Sequence, residues 1–550
     1  MHSTRRAFLS LALLAASAGA CGREAADRTS SPADALLEGG TAVVGLPSGP
    51  TSPFPPLAAA AVDAEIGAAL YPGLNHAVWA DGRLAFPEGD PLALASSWEA
   101  DGPRLTYHLR AGLVWSDGAP VRGDDVVFTY GLLADPEGGL PMSAAAARLD
   151  SVRASDDSTV TFFFDRPYPG MLFDSGVGIL PRHAYGRLEL DELRALPARD
   201  PSAAAGLVVS GPFRLQEWTP GDRFVLGRNE EGTVSPRLDR VVFRVLPDET
   251  TRLAALRSGE IDLAQVNSFG AARRLAEDPG VRLAAMPQRG YDYIAWNPGA
   301  FPAFAERDVR RALSLAIDRA EVIRATDMEG FAVEAYGPYG PLFTDLAPQP
   351  PDGVVHDAAE AGRLLTAAGW TDGDGDGVRE KKGDELRFEL ITAAGNERRE
   401  RAAQIIQRQL AEVGVAVTVR TQEFASLFGR AQKRDYEAAL LGWQVGLDPD
   451  ISFFWYDPHS PVNLVGYDNP DVRALMDSAL AAPTAAEAAP YWRRSAEVIA
   501  ADYPYAFLWY IDLLVAIGPR LGGVETDPVG FAGTIHEWGI LAAGSPGASR

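Results

Sequence analysis

Strand-like and helix-like stretches are interspersed along the whole of this chain, and that mixture constrains its fold more than any other feature of the sequence. Thr41–Gly45 (TAVVG) and Arg240–Leu246 (RVVFRVL) are β-branched runs ended by Gly or Pro. Leu105–Arg110 (LTYHLR) and Thr159–Phe164 (TVTFFF) alternate apolar with polar residues, which predicts half-buried antiparallel strands. Helices are equally legible. Within Asp308–Asp318, Val309, Ala312, Leu313 and Ala316 fall at i, i+3, i+4 and i+7 and form one apolar stripe. A second amphipathic helix is expected over Asp357–Ala368, with Asp357 placed to cap its start and Gly369 to end it. The mixture points to α/β or α+β domains and excludes a helical bundle or a β-sandwich.

At 550 residues and 47% hydrophobic content the chain has material for two to four globular domains. Its 11 Trp, 16 Tyr and 23 Phe can line cores or a cleft. A formal charge of -24 argues against nucleic acid as a ligand, because neutralising phosphates takes clustered Lys and Arg. The single cysteine, Cys21, excludes an intramolecular disulfide and a thiolate metal cluster. The 7 His are dispersed without an HExxH pair, and neither a GxSxG elbow nor a phosphate-binding GxxxxGK[ST] loop occurs. We therefore expect a protein that is not an enzyme.

Residues 1–20 read as an export signal: a charged start with Arg5 and Arg6, an apolar run from Phe8 to Ala16, then Ala18, Gly19 and Ala20 ahead of Cys21. The run is far shorter than the ~20 apolar residues a spanning helix needs. The Thr4–Leu9 segment resembles a twin-arginine signal, and Ala18–Cys21 resembles a bacterial lipobox whose Cys21 is lipidated. Residues 21–40 are small, polar and interrupted by Pro and Gly, which predicts a flexible tether reaching roughly 25 Å from the lipid surface.

Asp372, Asp374 and Asp376 alternate in the manner of a calcium loop, but position twelve is Gly383 where an EF-hand has a bidentate Glu. Two readings stand open there, a structural calcium site and a solvated hairpin turn. No other cofactor is expected.

A set of ordered blocks then narrows the reading. These are Leu94–Glu99, Leu105–Gly112, Trp115–Pro120, Asp124–Phe128, Gly211–Phe213 with Trp218–Asp222, Pro247–Asp262, Tyr291–Asn297 and Gly466–Pro470. Together they resemble the extracytoplasmic solute-binding proteins of oligopeptide, dipeptide and nickel ABC importers, from about residue 41 to the mid 510s. The resemblance implies a two-lobed, flytrap-like α/β fold with a double crossing near Gly290 and near Tyr503. Lobe 1 would comprise residues 41–289 and 504–550, with an inserted subdomain at about 84–180, and lobe 2 residues 290–503.

It also implies a function: a lipid-anchored, extracytoplasmic, monomeric receptor that captures oligopeptides or a similar extended solute and hands them to a membrane permease. An oligosaccharide, a nickel chelate, or a lipoprotein hydrolase or sensor are the alternatives. The segment Leu440–Asp450 resembles the hinge-side binding segment, where an extended ligand adds to a backbone edge. On that likeness Gly442, Trp443 and Asp448 are expected at the ligand, with Phe54 and Tyr71 facing them from lobe 1. Peptide-binding relatives carry an Asp three residues after this Trp to pair with the peptide ammonium; here that position is Gly446, which cannot supply a charge-assisted bond, and Asp448 lies two residues further on.

Overall fold

The computed structural model describes residues 36–542 apart from 81, 197–204 and 354. The β-branched runs become strands of one 11-stranded sheet that passes through the whole molecule. At its centre two long strands, Arg282–Trp296 and Tyr505–Ile517, run antiparallel. Their ladder shifts register twice, most widely after Pro287 and again between Asp292 and Tyr293, where Leu508 is the extra residue. Arg282–Pro287 pair with Ile517–Asp512 and Tyr291–Ala295 with Tyr510–Tyr505, so that Gln288, Arg289 and Gly290 face Ile511 alone. Such an excess of residues on one strand bends it locally.

Each half of this central pair carries its own half-sheet. Beside Leu514–Ile517 lie Leu263–Val266, Thr41–Leu46, Arg240–Val245, Arg223–Arg228 and Phe213–Thr219 in that order. Beside Gly290–Trp296 lie Ala438–Gln444, Arg387–Ala393 and Ala416–Gln422. Two lobes on a shared pair of crossing strands result, as the family resemblance implied. The inner parallel strands Thr41–Leu46, Leu263–Val266 and Ala438–Gln444 are mostly apolar, as befits strands covered on both faces; the helix Arg307–Ala316 packs against the central strand Tyr505–Ile517, and Ala358–Ala367 packs on that helix. The second of these starts where expected, with Asp357 accepting a 2.7 Å bond from the Glu360 amide, and Gly369 follows its end at φ 88°.

A separate four-stranded antiparallel sheet is built from Ala95–Asp101, Arg104–Leu109, Thr159–Phe164 and Leu149–Ala154. It lies within the stretch expected as an insertion, and its inward residues, Tyr107 and Phe162 among them, belong to the same buried cluster as Phe213 and Phe243 of the first lobe. Among the described residues no helix is long and apolar enough to cross a membrane.

The expected flexible tether needs correction at its far end. Leu36 and Leu37 pair with Leu541 and Ile540, and the Gly40 amide donates a 2.8 Å bond to Asp239. The two leucines supply the apolar material that the polar segment before them lacks, so the chain is fixed to the body from Leu36 onward. Arg5, Arg6, Cys21 and the remainder of the tether lie outside the described residues.

Candidate functional site

Strand direction shows where a site can form. In the second lobe Ala416–Gln422, Arg387–Ala393 and Ala438–Gln444 are parallel, and Gln444 lies opposite Gly290, so their C-terminal ends face the crossing. In the first lobe Thr41–Leu46, Arg240–Val245 and Leu263–Val266 are parallel, and Val266 lies opposite Leu514 on the crossing side. Ligands of open α/β sheets bind beyond the carboxyl ends of the strands. Here two sets of such ends converge on one cleft.

Trp443 stands at this cleft and is partly buried. It stacks on Tyr293 with ring centroids 6.2 Å apart, meets Phe428 edge-on at 5.9 Å and touches Phe454 at 4.9 Å. The aromatic row continues outward on both sides, to Phe424 stacked on Phe428 at 5.9 Å and to Phe453 against Phe454 at 5.1 Å. Phe424 and Phe453 are 55% and 65% exposed, although a buried aromatic is worth far more to the fold than an exposed one. Beside this row, pairing of Ala438–Gln444 with Arg387–Ala393 ends at Leu440, which leaves the edge of Leu441–Gln444 on that side without a ladder partner among the described residues.

Asp448 follows on the same segment. One of its carboxylate oxygens accepts a 2.8 Å bond from the Asp450 amide, the turn geometry favoured by Asp. The other faces the inserted subdomain: a Cβ on Gly170 would lie 3.3 Å from Asp448 Oδ2, so the absence of a side chain there permits this close approach. Asp174, in the same subdomain loop, accepts a bond from the Tyr168 hydroxyl. Burial pushes the Asp174 carboxyl up to about 7; the Tyr168 bond opposes this, the Asp448 and Asp450 charges add to it, and Arg148 opposes it. Burial likewise pushes Asp448 up to about 6, against the bond from Asp450 and with the added charge of that residue. Among the described residues no Arg, Lys or His lies at ion-pair distance from any of these three acids.

The face of the sheet opposite Trp443 carries a buried ionic cluster. Asp292 Oδ1 accepts bonds of 3.2 and 2.7 Å from Arg399, while Oδ2 accepts 2.9 Å from Trp509 Nε1 and a further bond from Arg398. Burial alone would raise this carboxyl, but the two guanidiniums hold it below the ordinary carboxylate range. Gly442 is opposite Asp292 in the ladder, and a Cβ there would come within 2.5 Å of Asp292 Oδ1. Its missing side chain leaves room for the ion cluster, a role distinct from the ligand contact expected of it.

Phe54 and Tyr71 correct another expectation. Both are fully buried in the first-lobe core, where Phe54 packs on Tyr71 at 5.9 Å and on Tyr185 at 5.3 Å, and the Tyr71 and Tyr185 hydroxyls are 3.2 Å apart. With their rings packed into this core, the two residues hold the loop in place from behind. Asp372, Asp374 and Asp376 are exposed, with carboxylate oxygens within 4.8 Å of one another. The loop also satisfies them internally, since Asp372 accepts from the amides of Gly375 and Gly377.

Asp174, Phe424 and Phe453 were not legible as site residues, because each comes from a different part of the chain and no spacing links them. Glu65 and Arg289 belong to the same class. Burial pushes the Glu65 carboxyl up to about 8, opposed by Arg289 at the crossing and reinforced by Asp527. The one sequence signal was indirect: an aromatic, Phe424, just after the strand Ala416–Gln422.

The model of a family described as bacterial extracellular solute-binding proteins, family 5, matches residues 91–463. The oligopeptide-binding protein AppA of Bacillus subtilis is 28% identical over 465 residues, covering 81% of this chain and 83% of the relative. The solved structure of that protein in complex with a nonapeptide superposes with a TM-score of 0.72 at 26% identity, covering 92% of this chain and 100% of the other. NikZ from Campylobacter jejuni, solved with Ni(L-His), shares the fold with a TM-score of 0.73 at 21% identity over 91% of this chain and 99% of the other.

Proposed function

The chain belongs to the bacterial extracellular solute-binding proteins of family 5, and from that premise we propose that it captures an extended oligopeptide between its lobes and delivers it to a membrane permease. The observation that carries this reading is the unpaired edge of Leu441–Gln444 at the mouth of the cleft. An extended peptide pairs with such an edge through main-chain hydrogen bonds, which are indifferent to sequence, while neighbouring side chains select what the ligand carries. The 28% identical relative named as oligopeptide-binding, and its complex with a nonapeptide, support the same solute class.

In this reading Trp443 walls the ligand on the second lobe and Asp448 takes the place of the missing acid at Gly446. The protein works by binding and carries out no chemistry on its solute. Closure turns about Gln288–Gly290 and Ile511, where the central ladder is interrupted. Residues 1–20 direct export, and lipidated Cys21 holds the body at the membrane; two or three acyl chains suffice for stable anchoring where one is marginal.

A thermal-shift panel on residues 22–550 with peptide pools, oligosaccharides and a nickel–histidine mixture tests the solute class. A ligand at 100 times its Kd stabilises by about 2.7 kcal/mol, so a true ligand class moves the midpoint clearly. A response to peptides supports the reading, and silence toward peptides with a response to another class retires it.

A further inference from the structure

The aromatic row on the second lobe is larger than a single wall residue requires. Phe424 opens the helix Phe424–Gln432 directly after the strand Ala416–Gln422, and Phe453 lies on the short helix Ser452–Trp455 that follows Asp450. Phe424 thus leaves the C-terminal, cleft-facing end of a parallel strand directly, Phe453 follows the segment that runs on from the strand Ala438–Gln444, and the two stand at the ends of a five-ring row with Trp443 in the middle. Exposed apolar patches of this kind mark binding surfaces. The segment joining Trp443 to Phe453 also carries Asp448 and Asp450, with Asp174 approaching from the other lobe, and among the described residues none of the three has a cation at ion-pair distance.

Resting on the peptide reading of the cleft, we propose that this face selects peptides in which a cationic group stands beside an aromatic or large aliphatic side chain. The cation would sit between Asp448 and Asp174, where it replaces mutual repulsion with two charge-assisted contacts. The apolar side chain would lie along the aromatic row, covering Phe424 or Phe453. Charge complementarity fixes the occupant: an acidic solute would bring a further carboxylate to a buried Asp174 that already feels the charges of Asp448 and Asp450.

Titration calorimetry of residues 22–550 with four synthetic tetrapeptides of one backbone decides the matter: Lys-Phe, Lys-Gly, Glu-Phe and Glu-Gly at the two central positions. The Lys-Phe peptide is expected to bind about tenfold or more tighter than either singly altered peptide, the usual effect of one aromatic or charged anchor. In a Phe424→Ser/Phe453→Ser double variant the gain from Phe should fall below about threefold while Lys-Gly binding is unchanged; both rings are largely solvent-exposed, so the fold is not at risk. Equal binding of all four peptides overturns the selectivity and leaves the peptide reading intact. Absence of binding by all four overturns both. A double variant that keeps its preference for Phe but loses uptake with purified permease assigns the aromatic face to a protein partner and overturns the proposal as well.

Discussion

Replacing Gly442 by alanine puts a Cβ within 2.5 Å of Asp292 Oδ1 and against the Arg399 guanidinium, distances at which one of the bonded pair must move. Gly→Ala in a strand ordinarily gains roughly 0.5–1 kcal/mol from lost backbone freedom. Breaking one partner away from a buried ion pair costs about 3–5 kcal/mol, because the other is left uncompensated. The net expectation is a loss of about 2–4 kcal/mol. Asp292→Ala should cost a similar 3–5 kcal/mol, since it strands two half-buried guanidiniums and the Trp509 indole N–H. The two losses share one cause, so they must not add. With Asp292 gone Arg399 is free to turn away, and the added alanine should then cost less than about 1 kcal/mol, giving a coupling of about 1–3 kcal/mol or more. Urea unfolding of the four proteins, followed by tryptophan fluorescence, measures the cycle. Additivity within about 0.5 kcal/mol would refute the argument that Gly442 exists to make room for the Asp292 cluster.

Trp443→Ala should weaken peptide binding by about tenfold or more, read by calorimetry; unchanged affinity would remove Trp443 from the cleft wall. The buried acids set a pH dependence of defined sign. Asp174 and Asp448, raised to about 7 and about 6 from an ordinary 3.8, hold protons in the fold that the unfolded chain releases. Their contribution to stability is therefore complete below the unfolded value and is lost as pH rises through about 6 to 7. A cationic peptide needs both ionised, against the neighbouring Tyr168, Tyr339, Arg148 and Asp450, so its affinity should fall steadily between pH 8 and 5 (~2 kcal/mol or more across the range); a flat profile for Lys-Phe peptides would dissociate the acids from the ligand. Two readings stand for the Asp372–Asp376 loop, a calcium site on its converging carboxylates and a solvated turn; on the first, millimolar calcium should raise the unfolding midpoint reversibly, an effect lost in Asp374→Asn. No shift would leave it a hairpin turn held by its own amides.

Local structure was legible wherever a single segment carries its own signal. Val309, Ala312 and Leu313 are wholly buried on the expected helix, and Asp357 and Gly369 bound the next one as their chemistry requires. The strand Thr41–Leu46 was equally clear, because β-branched runs between Gly and Pro have few alternatives. What stayed hidden depends on partners distant in the chain. Leu36 and Leu37 look like part of a polar tether until the strand Gly539–Leu541 is placed beside them. Phe54 looks like a loop aromatic free to meet a ligand until Tyr185, more than a hundred residues further along the chain, closes over it. The approach of Asp448 to Gly170 is written in neither segment alone.

That approach bears on how closure of the lobes would depend on ligand. Closing the lobes brings Asp174 toward Asp448 and Asp450 in surroundings poor in water, where like charges repel strongly. A ligand shifts an open–closed equilibrium only by its differential affinity for the two forms. A cation held between Asp174 and Asp448 meets both acids only in the closed form, so it removes a cost of closure and gains its contacts in the same step. Neutralising one acid should therefore mimic part of the ligand. Asp174→Asn keeps the shape and can still accept the Tyr168 hydroxyl, and it should raise the closed fraction of the unliganded protein severalfold, since about 1 kcal/mol of relieved repulsion moves a two-state ratio roughly fivefold. Small-angle scattering would register this as a smaller radius of gyration without ligand and a smaller decrease on adding peptide. An unchanged radius together with an unchanged decrease would mean that the three acids do not govern closure.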